Sequence, residues 1–397
     1  MESRKCSSYT SSHYNDPQRT VLLLVIFSFK LDAMMQNELN RKSPLFETHV
    51  SLGARMVPFA GWQMPVQYSG ILSEARAVRK GVGIFDVSHM GRVEFTGTDA
   101  QTLLDRVLSV NLTKLPEWRA KYNLICDLDG GIIDDCIIYR TGAQKFLLIP
   151  NASNTDAVLE WFSGWENGLD FEQINVTHET AMIAVQGPQS MSMMDSLIVE
   201  DLGNVKLFSC IQSKINQTDA FIARTGYTGE DGVEIVVPAS EAQSIWQTLM
   251  DNGAEPCGLG ARDVLRLEAG LPLHGNDMDT SVNPFEAGLE RFVSLNNDDY
   301  VAAKILRDIR ELGVSRSLVG FILHGKGIAR HGYDIKDGSK SIGEVTSGSH
   351  SPTLDRSIGM GYVPLKYTAL GTKFDVDMRG RAVEAEVVPL PFYKREK

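Results

Sequence analysis

The stretch Gly130-Gly131-Ile132-Ile133-Asp134-Asp135-Cys136-Ile137-Ile138-Tyr139 limits the folds open to this chain more than any other. A diglycine turn opens it, and an apolar strand follows with two adjacent acids set inside. Side chains on a strand point alternately to opposite faces. Asp135 therefore shares a face with Ile133 and Ile137, and Asp134 falls with Ile132, Cys136 and Ile138. Both faces are apolar, which leads at least one carboxylate into low-dielectric surroundings. A carboxylate led into such surroundings needs a partner or a ligand. The alternative is a pair of acids at a strand bend, satisfied by turn amides.

The chain around this strand has 397 residues, enough for two or three domains, with 43% hydrophobic and 22% charged residues. A formal net charge of -11 argues against a nucleic-acid partner. Five cysteines (Cys6, Cys126, Cys136, Cys210, Cys257) are odd in number and scattered, without a CxxC pair. That pattern suits free thiols in a reducing compartment better than a disulfide frame or a zinc site. The eight histidines lack HxxxH spacing, so a metal has little support.

Residues 1–42 differ from the rest and read as a poorly ordered extension. Their apolar run Val21–Phe29 is too short to span a bilayer and lacks the flanks of a signal peptide. Globular sequence begins near Ser43. Val57 to Tyr68, with Pro58, Gly61 and Pro65, suits a bent hairpin. Helices are expected over 72–82, 99–107 (with Thr98 as N-cap), 155–165, 241–250 and 300–312, and one opening after Gly187-Pro188. Strands are expected over 91–96, 120–126, 132–140, 145–149, 171–177, 181–186, 218–223 and 233–237. Without strict βαβ alternation, the pattern reads as α+β, with helices on one face of each sheet. After Ser317, short β-rich runs separated by Gly and Ser turns suggest a small β-barrel or sandwich over 315–397.

Two more stretches are able to carry chemistry. Arg224-Thr-Gly-Tyr-Thr-Gly-Glu-Asp-Gly-Val-Glu234 is a glycine-rich loop running into a strand, with Glu234 opposed to Val233 and Ile235. A carboxylate there suits a flat donor edge, either a guanidinium or an aminopyrimidine ring. A salt bridge to Arg224 or Arg262 would equally account for it. Gly258-Leu-Gly-Ala-Arg-Asp-Val-Leu-Arg-Leu-Glu-Ala269 fails GxGxxG, because Asp263 stands where the third glycine belongs. As a helix it places Arg262, Arg266 and Ala269 near one face, and Val264, Leu267 and Leu271 toward a core. Arg262 would lie at the helix start, where the dipole does not favour a cation, and this points to a specific anionic partner. No P-loop and no GxSxG elbow is present.

Taken together, Ser43–His49, Phe59-Ala-Gly-Trp62, Phe85–Gly91, Gly130–Tyr139, Arg224–Glu234, Gly258–Arg262 and Asn283-Pro-Phe-Glu286 resemble the T-protein (aminomethyltransferase) family of the glycine cleavage system. The resemblance runs in register from about Ser43 to Tyr393. It implies a folate-binding body of two α+β subdomains over 43–314 and a C-terminal β-barrel domain over 315–397. It also implies a catalytic carboxylate at Asp135, with the pterin held by Glu234 and Arg262. Tyr122, Tyr139, Tyr227, Met90 and Asn151 match positions lining the folate cleft. A basic residue near the C-terminus also contacts folate in the family, a role for which Lys394 and Arg395 compete; Arg395 is the reading taken. The implied partners are tetrahydrofolate as co-substrate, with no metal, and a lipoylated H-protein bearing an aminomethyl group on its dihydrolipoyl sulfur. Transfer of that methylene gives 5,10-methylenetetrahydrofolate and ammonia, in bacterial cytoplasm or mitochondrial matrix. The departures are residues 1–42, which have no counterpart, and Asp298–Val301, which lacks a common glycine. Flavin fusion partners, as in related demethylases, and a KGCYxGQE string, as in relatives that assist iron–sulfur assembly, are both lacking.

Overall fold

The computed structural model describes residues 40–395, so the apolar run Val21–Phe29 and Cys6 lie outside the described residues. Four sheets organise them. A small three-stranded sheet contains the bent hairpin Arg55–Phe59 and Trp62–Gln67, which turns at Ala60 and Gly61, both with positive φ. Two larger sheets form the body. The first orders its strands Arg119–Cys126, Ile132–Gly142, Lys145–Pro150, Val93–Thr96 and Glu172–Asn175. The second orders Cys210–Ile215, Thr218–Ala223, Gly232–Pro238, Thr180–Gln186, Gly83–Asp86 and Glu255–Pro256.

The two body sheets face one another across a shared core. Ala120, Tyr139, Leu147 and Ile149 of the first pack there against Phe85, Met182, Ala184, Phe221 and Ala223 of the second. Each sheet's other face is covered by helices. Leu103, Leu104, Val107, Val158 and Phe162, from helices Ala100–Val107 and Thr155–Ser163, pack with Cys136 and Ile138. Ile245, Trp246 and Leu249, from the helix Ala242–Asp251, pack with Ile183, Ile222 and Ile235. The result is a helix–sheet–sheet–helix sandwich, which explains why the strand Ile132–Gly142 is apolar on both faces.

The chain closes with a six-stranded barrel, ordered Arg316–Leu323, Arg356–Pro364, Lys340–Ser351, Asp334–Asp337, Lys373–Asp377 and Ala382–Val388. Phe321, Ile335, Val345, Val363, Phe374, Val376 and Ala385 fill it. The helix Leu259–Glu268 joins it to the body. From that helix Arg266 donates to Ser347 of the barrel (2.7 Å), and Glu268 accepts from Ser351 (2.5 Å).

Several local expectations need correcting. Thr98 is not an N-cap: Asp99 holds that position without a side-chain bond, and Thr98 Oγ1 instead faces the Asp170 carbonyl. The last body helix begins at Ala303, because 300–302 form a turn in which the buried Tyr300 packs inward. Arg266, expected near one face with Arg262, is deeply buried. At 1% exposure it lies beneath the barrel, which the helical period alone does not reveal.

Candidate active site

The strand Ile132–Gly142 begins at a tight approach. Gly131 has room for no side chain, since a Cβ there would lie 2.1 Å from the Thr280 carbonyl oxygen. Along the strand Asp134, Cys136 and Ile138 are buried, while Asp135 and Ile137 are half-buried on the opposite face. The expected alternation fails before Asp134: a bulge opposite Ile125 and Cys126 sets Ile132 with Leu124 and Cys126 and turns Ile133 to the helix-covered core with Cys136 and Ile138. Yet both carboxylates meet one residue. Asn151 follows the neighbouring strand, whose Pro150 pairs with Cys136. Its Nδ2 lies 2.8 Å from Asp134 Oδ1, 2.7 Å from Asp135 Oδ1 and 3.0 Å from the Asp135 carbonyl, and its backbone N–H donates to Asp134 Oδ2 (2.9 Å).

Asp134 is a saturated group. Besides Asn151 it accepts from Asn154 Nδ2 (2.7 Å), which in turn lies 2.8 Å from His274 Nδ1. His274 Nε2 lies 3.0 Å from the Ile132 carbonyl, which requires the proton on Nε2. Burial, and then the charge of Asp135, raise the Asp134 pKa to about 6, against the pull of the two asparagines. Asp135 accepts from Tyr122 Oη (2.8 Å) and Asn151. Burial raises its pKa too, with Tyr122, His274 and Asn151 opposing. A raised carboxylate pair beside a tyrosine is a perturbed site of the kind that marks function.

Glu234 is buried on Gly232–Pro238, where it accepts from Thr225 Oγ1 (2.6 Å), and Thr225 Oγ1 lies 3.0 Å from Tyr139 Oη. Neither of the ion pairs considered from sequence forms: Arg224 is engaged by Asp231, and Glu234 has no salt bridge among the described residues. Arg262 lies with its guanidinium carbon 5.0 Å from the Tyr227 ring centroid, and its Nη1 is buried without a hydrogen-bond partner. Burial lowers the Arg262 pKa, and Glu234 and Tyr227 raise it only in part. Tyr227 Oη donates to the Pro272 carbonyl, and the field of Asp135 reaches it. Asp135, Tyr122, Tyr227, Arg262 and Glu234 therefore form one electrostatically connected site. A half-exhausted carboxylate and an unsatisfied guanidinium are its open valences.

The remaining residues named from sequence fall around it. Met90 is half-buried against the core between the sheets. Tyr139 lies behind the cleft rather than on its wall: at 1% exposure, edge-on to Phe221 (5.2 Å), it reaches the site only through Thr225. Arg395 pairs with Asp231 (3.3 Å), and Lys394 is exposed. Thr225, Asn154 and His274 were missed. Thr225 lay inside a motif already singled out, and Asn154 three residues after Asn151; nothing local marked His274. Among the described residues no group of His, Cys, Asp or Glu is arranged to hold a metal. No helix among them is long and apolar enough to cross a membrane.

Known proteins resemble most of this chain. The GCVT N-terminal domain family matches residues 45–297, and the glycine cleavage T-protein C-terminal barrel domain family matches 316–394. An aminomethyltransferase of Rubrobacter xylanophilus is 46% identical over 358 residues, 90% of this chain and 95% of that protein. One of Bacillus mycoides is 42% identical over 363 residues, 90% of this chain and 99% of that protein. The crystal structure of glycine cleavage system aminomethyltransferase T from Bartonella henselae superposes with a TM-score of 0.85 at 33% identity, covering 89% of this chain and 98% of that one.

Proposed function

Because this chain belongs to the glycine cleavage T-protein family, we propose that Asp135, Glu234 and Arg262 are its working groups toward tetrahydrofolate. The chain is an aminomethyltransferase of the glycine cleavage system. Its co-substrate is tetrahydrofolate, its carrier substrate is the lipoylated H-protein, and its place is the cytoplasm. When bound, tetrahydrofolate supplies two nitrogens that take over the carrier's aminomethyl methylene, releasing ammonia and the free thiol of the carrier arm.

The open valences of Glu234 and Arg262 carry this reading. Glu234 uses one oxygen on Thr225 and keeps the other for a donor edge of the pterin, while Arg262 brings an unsatisfied guanidinium beside it. A ligand with adjacent N–H donors and a carbonyl acceptor completes both. Tyr139 and Thr225 hold Glu234 in place from behind. Asp135, fixed by Tyr122 and Asn151, orients the reacting nitrogens and stabilises the positive charge that develops on them. Its upward-shifted pKa is the direction needed for accepting a proton as well.

The test replaces Asp135 by asparagine and measures ammonia and methylenetetrahydrofolate formation at saturating folate. Turnover is expected to fall roughly ten- to a thousandfold, as when a preorganised electrostatic contact is removed. Folate affinity should stay near wild type, because the pterin is held at Glu234. Full activity in Asp135→Asn sinks the proposed role.

A further inference from the structure

Asn154 stands at the N-cap of the helix Thr155–Ser163, where an asparagine ordinarily turns its side-chain oxygen onto the first free N–H groups of the helix. Here its side chain caps nothing and reaches the strand Ile132–Gly142 instead. Oδ1 accepts from Ser153 Oγ (3.1 Å). Nδ2 donates one hydrogen to Asp134 Oδ1 (2.7 Å) and the other to His274 Nδ1 (2.8 Å), with the Ile133 carbonyl farther off at 3.3 Å. A capping group withdrawn from its helix and shared between a carboxylate and an imidazole serves that pair rather than the helix.

His274 is set for this contact from its other side. Its Nε2–H donates to the Ile132 carbonyl (3.0 Å), so Nδ1 carries the lone pair that Asn154 needs. The segment after His274 is tied to the start of the same strand. The Ile132 N–H meets the Asp279 and Val282 carbonyls (3.2 and 3.0 Å), and the Gly275 N–H donates to the Met278 carbonyl (2.9 Å). One nitrogen of the ring is thus held by the strand, and the other fixes which way the Asn154 amide faces. Without an acceptor at Nδ1 the amide is free to turn, and turned round it sets Oδ1 against the Asp134 carboxylate.

We propose that His274 is a positioning residue for the transfer reaction, acting through Asn154, Asp134 and Asn151 on the orientation of Asp135; this rests on the reading of Asp135 above. Every link of that path is a short hydrogen bond: His274 to Asn154 (2.8 Å), Asn154 to Asp134 (2.7 Å), Asp134 to Asn151 (2.8 Å) and Asn151 to Asp135 (2.7 Å). Asn154 and Asn151 meet on one atom, Asp134 Oδ1, so the position of one amide sets that of the other. Asp135 is held at Oδ1 by Asn151 and at Oδ2 by Tyr122 (2.8 Å). With Asn151 loosened, the carboxylate pivots about the tyrosine bond and loses its aim, and misplaced groups lose rate rather than ligand affinity. His274 itself touches no reacting atom. Asp134→Asn keeps the Oδ1 acceptor that both amides use, so the path survives that change.

The test splits the two nitrogens of the ring. His274→Asn brings a side-chain oxygen close to the place of Nδ1, which keeps an acceptor for Asn154 and gives up the bond to Ile132. His274→Gln carries its amide out to the place of Nε2, which keeps the Ile132 bond and offers Asn154 nothing. His274 is half-buried, and thermal melts check that both variants fold. With loaded H-protein saturating, kcat of His274→Gln is expected to fall roughly tenfold while KM for tetrahydrofolate stays within about twofold, because the pterin is held at Glu234. His274→Asn should recover most of that loss, to within about threefold of wild type. Added to Asp135→Asn, His274→Gln should cost nothing further, since no aimed carboxylate is left to position. Wild-type kcat in His274→Gln overturns the proposal, as does an equal loss in the two single variants. A full second loss on top of Asp135→Asn overturns it as well, because His274 then acts elsewhere. Failure of the Asp135 reading looks different: Asp135→Asn alone would be fully active, and the proposal falls with it.

Discussion

Arg266 and Arg262 stand one turn apart on the same helix, in opposite chemical states. Arg266 donates from Nη1 to Asp277 (2.6 Å) and the Leu271 carbonyl, from Nη2 to Ser347, and from Nε to Asp263 (2.8 Å). Burial lowers its pKa, but Asp277 and Asp263 more than offset that, and the net shift is upward. At Arg262 the burial effect wins, and one nitrogen has no partner. The carboxylates divide the same way. Glu268 accepts from Arg79 (2.7 Å), Ser351 and Thr353, while Glu234 accepts from one threonine. Buried charge satisfied by the chain itself holds domains together, and buried charge left short is completed by a ligand. The count of partners separates the two roles, where burial alone does not.

The largest effect that tests this contrast is on the saturated side. Arg266→Met leaves Asp277 buried without its cation and should cost about 3–5 kcal/mol of unfolding free energy, read by chemical denaturation. Arg262→Met breaks no ion pair and should cost far less stability while weakening folate. Similar losses of stability in the two variants would erase the distinction.

A middle-sized effect tests the unsaturated side. Glu234→Gln keeps size but turns one acceptor into a donor facing the ligand's own N–H groups. Folate affinity should fall by about 1–3 kcal/mol, up to roughly a hundredfold, with the melting temperature nearly unchanged. Unaltered binding in a calorimeter would make Glu234 a structural group held for Thr225.

Strand alternation gave the faces of Asp134 and Asp135 correctly, because the pleat keeps its period of two from Asp134 onward, but it misplaced Ile132 and Ile133, which a bulge exchanges. What lay beyond it was Asn151, whose side chain reaches around the end of its strand to both carboxylates. Helical periodicity placed Arg262 and Arg266 on one polar stripe. It did not show that the barrel covers the Arg266 end, since coverage depends on a domain distant in sequence. The burial of Tyr139 was hidden for the same reason, since the second sheet closes over that end of the strand. The barrel strand Asp334–Asp337 and the body strand Gly83–Asp86 were too short to give a pattern. Asp135, Glu234 and Arg262 were reached through the resemblance, whereas the residues alone led only to buried acids in search of partners.

Asp134 stands between the two classes, since it is saturated by three N–H donors and still perturbed. Its folded pKa is about 6, above the ordinary aspartate value of about 3.9. Between these values the folded protein holds a proton that the unfolded chain has released. The stability from this group is therefore fully present below about pH 4 and is lost as pH rises toward 6. The contribution to the slope is at most about 1.4 kcal/mol per pH unit, the value for one proton. Asp135→Asn removes the second-largest cause of the shift, leaving burial alone against the asparagines and His274. That variant should show a flatter fall of unfolding free energy across this window than the wild type, by a fraction of a proton. Asp134→Asn should abolish this component and, unlike Asp135→Asn, leave turnover per folded molecule close to normal. Denaturation series at several pH values across the window, run on all three proteins, give the comparison. An unchanged slope in Asp135→Asn would mean that neither the charge of Asp135 on Asp134 nor the raised titration of Asp135 itself acts across this window.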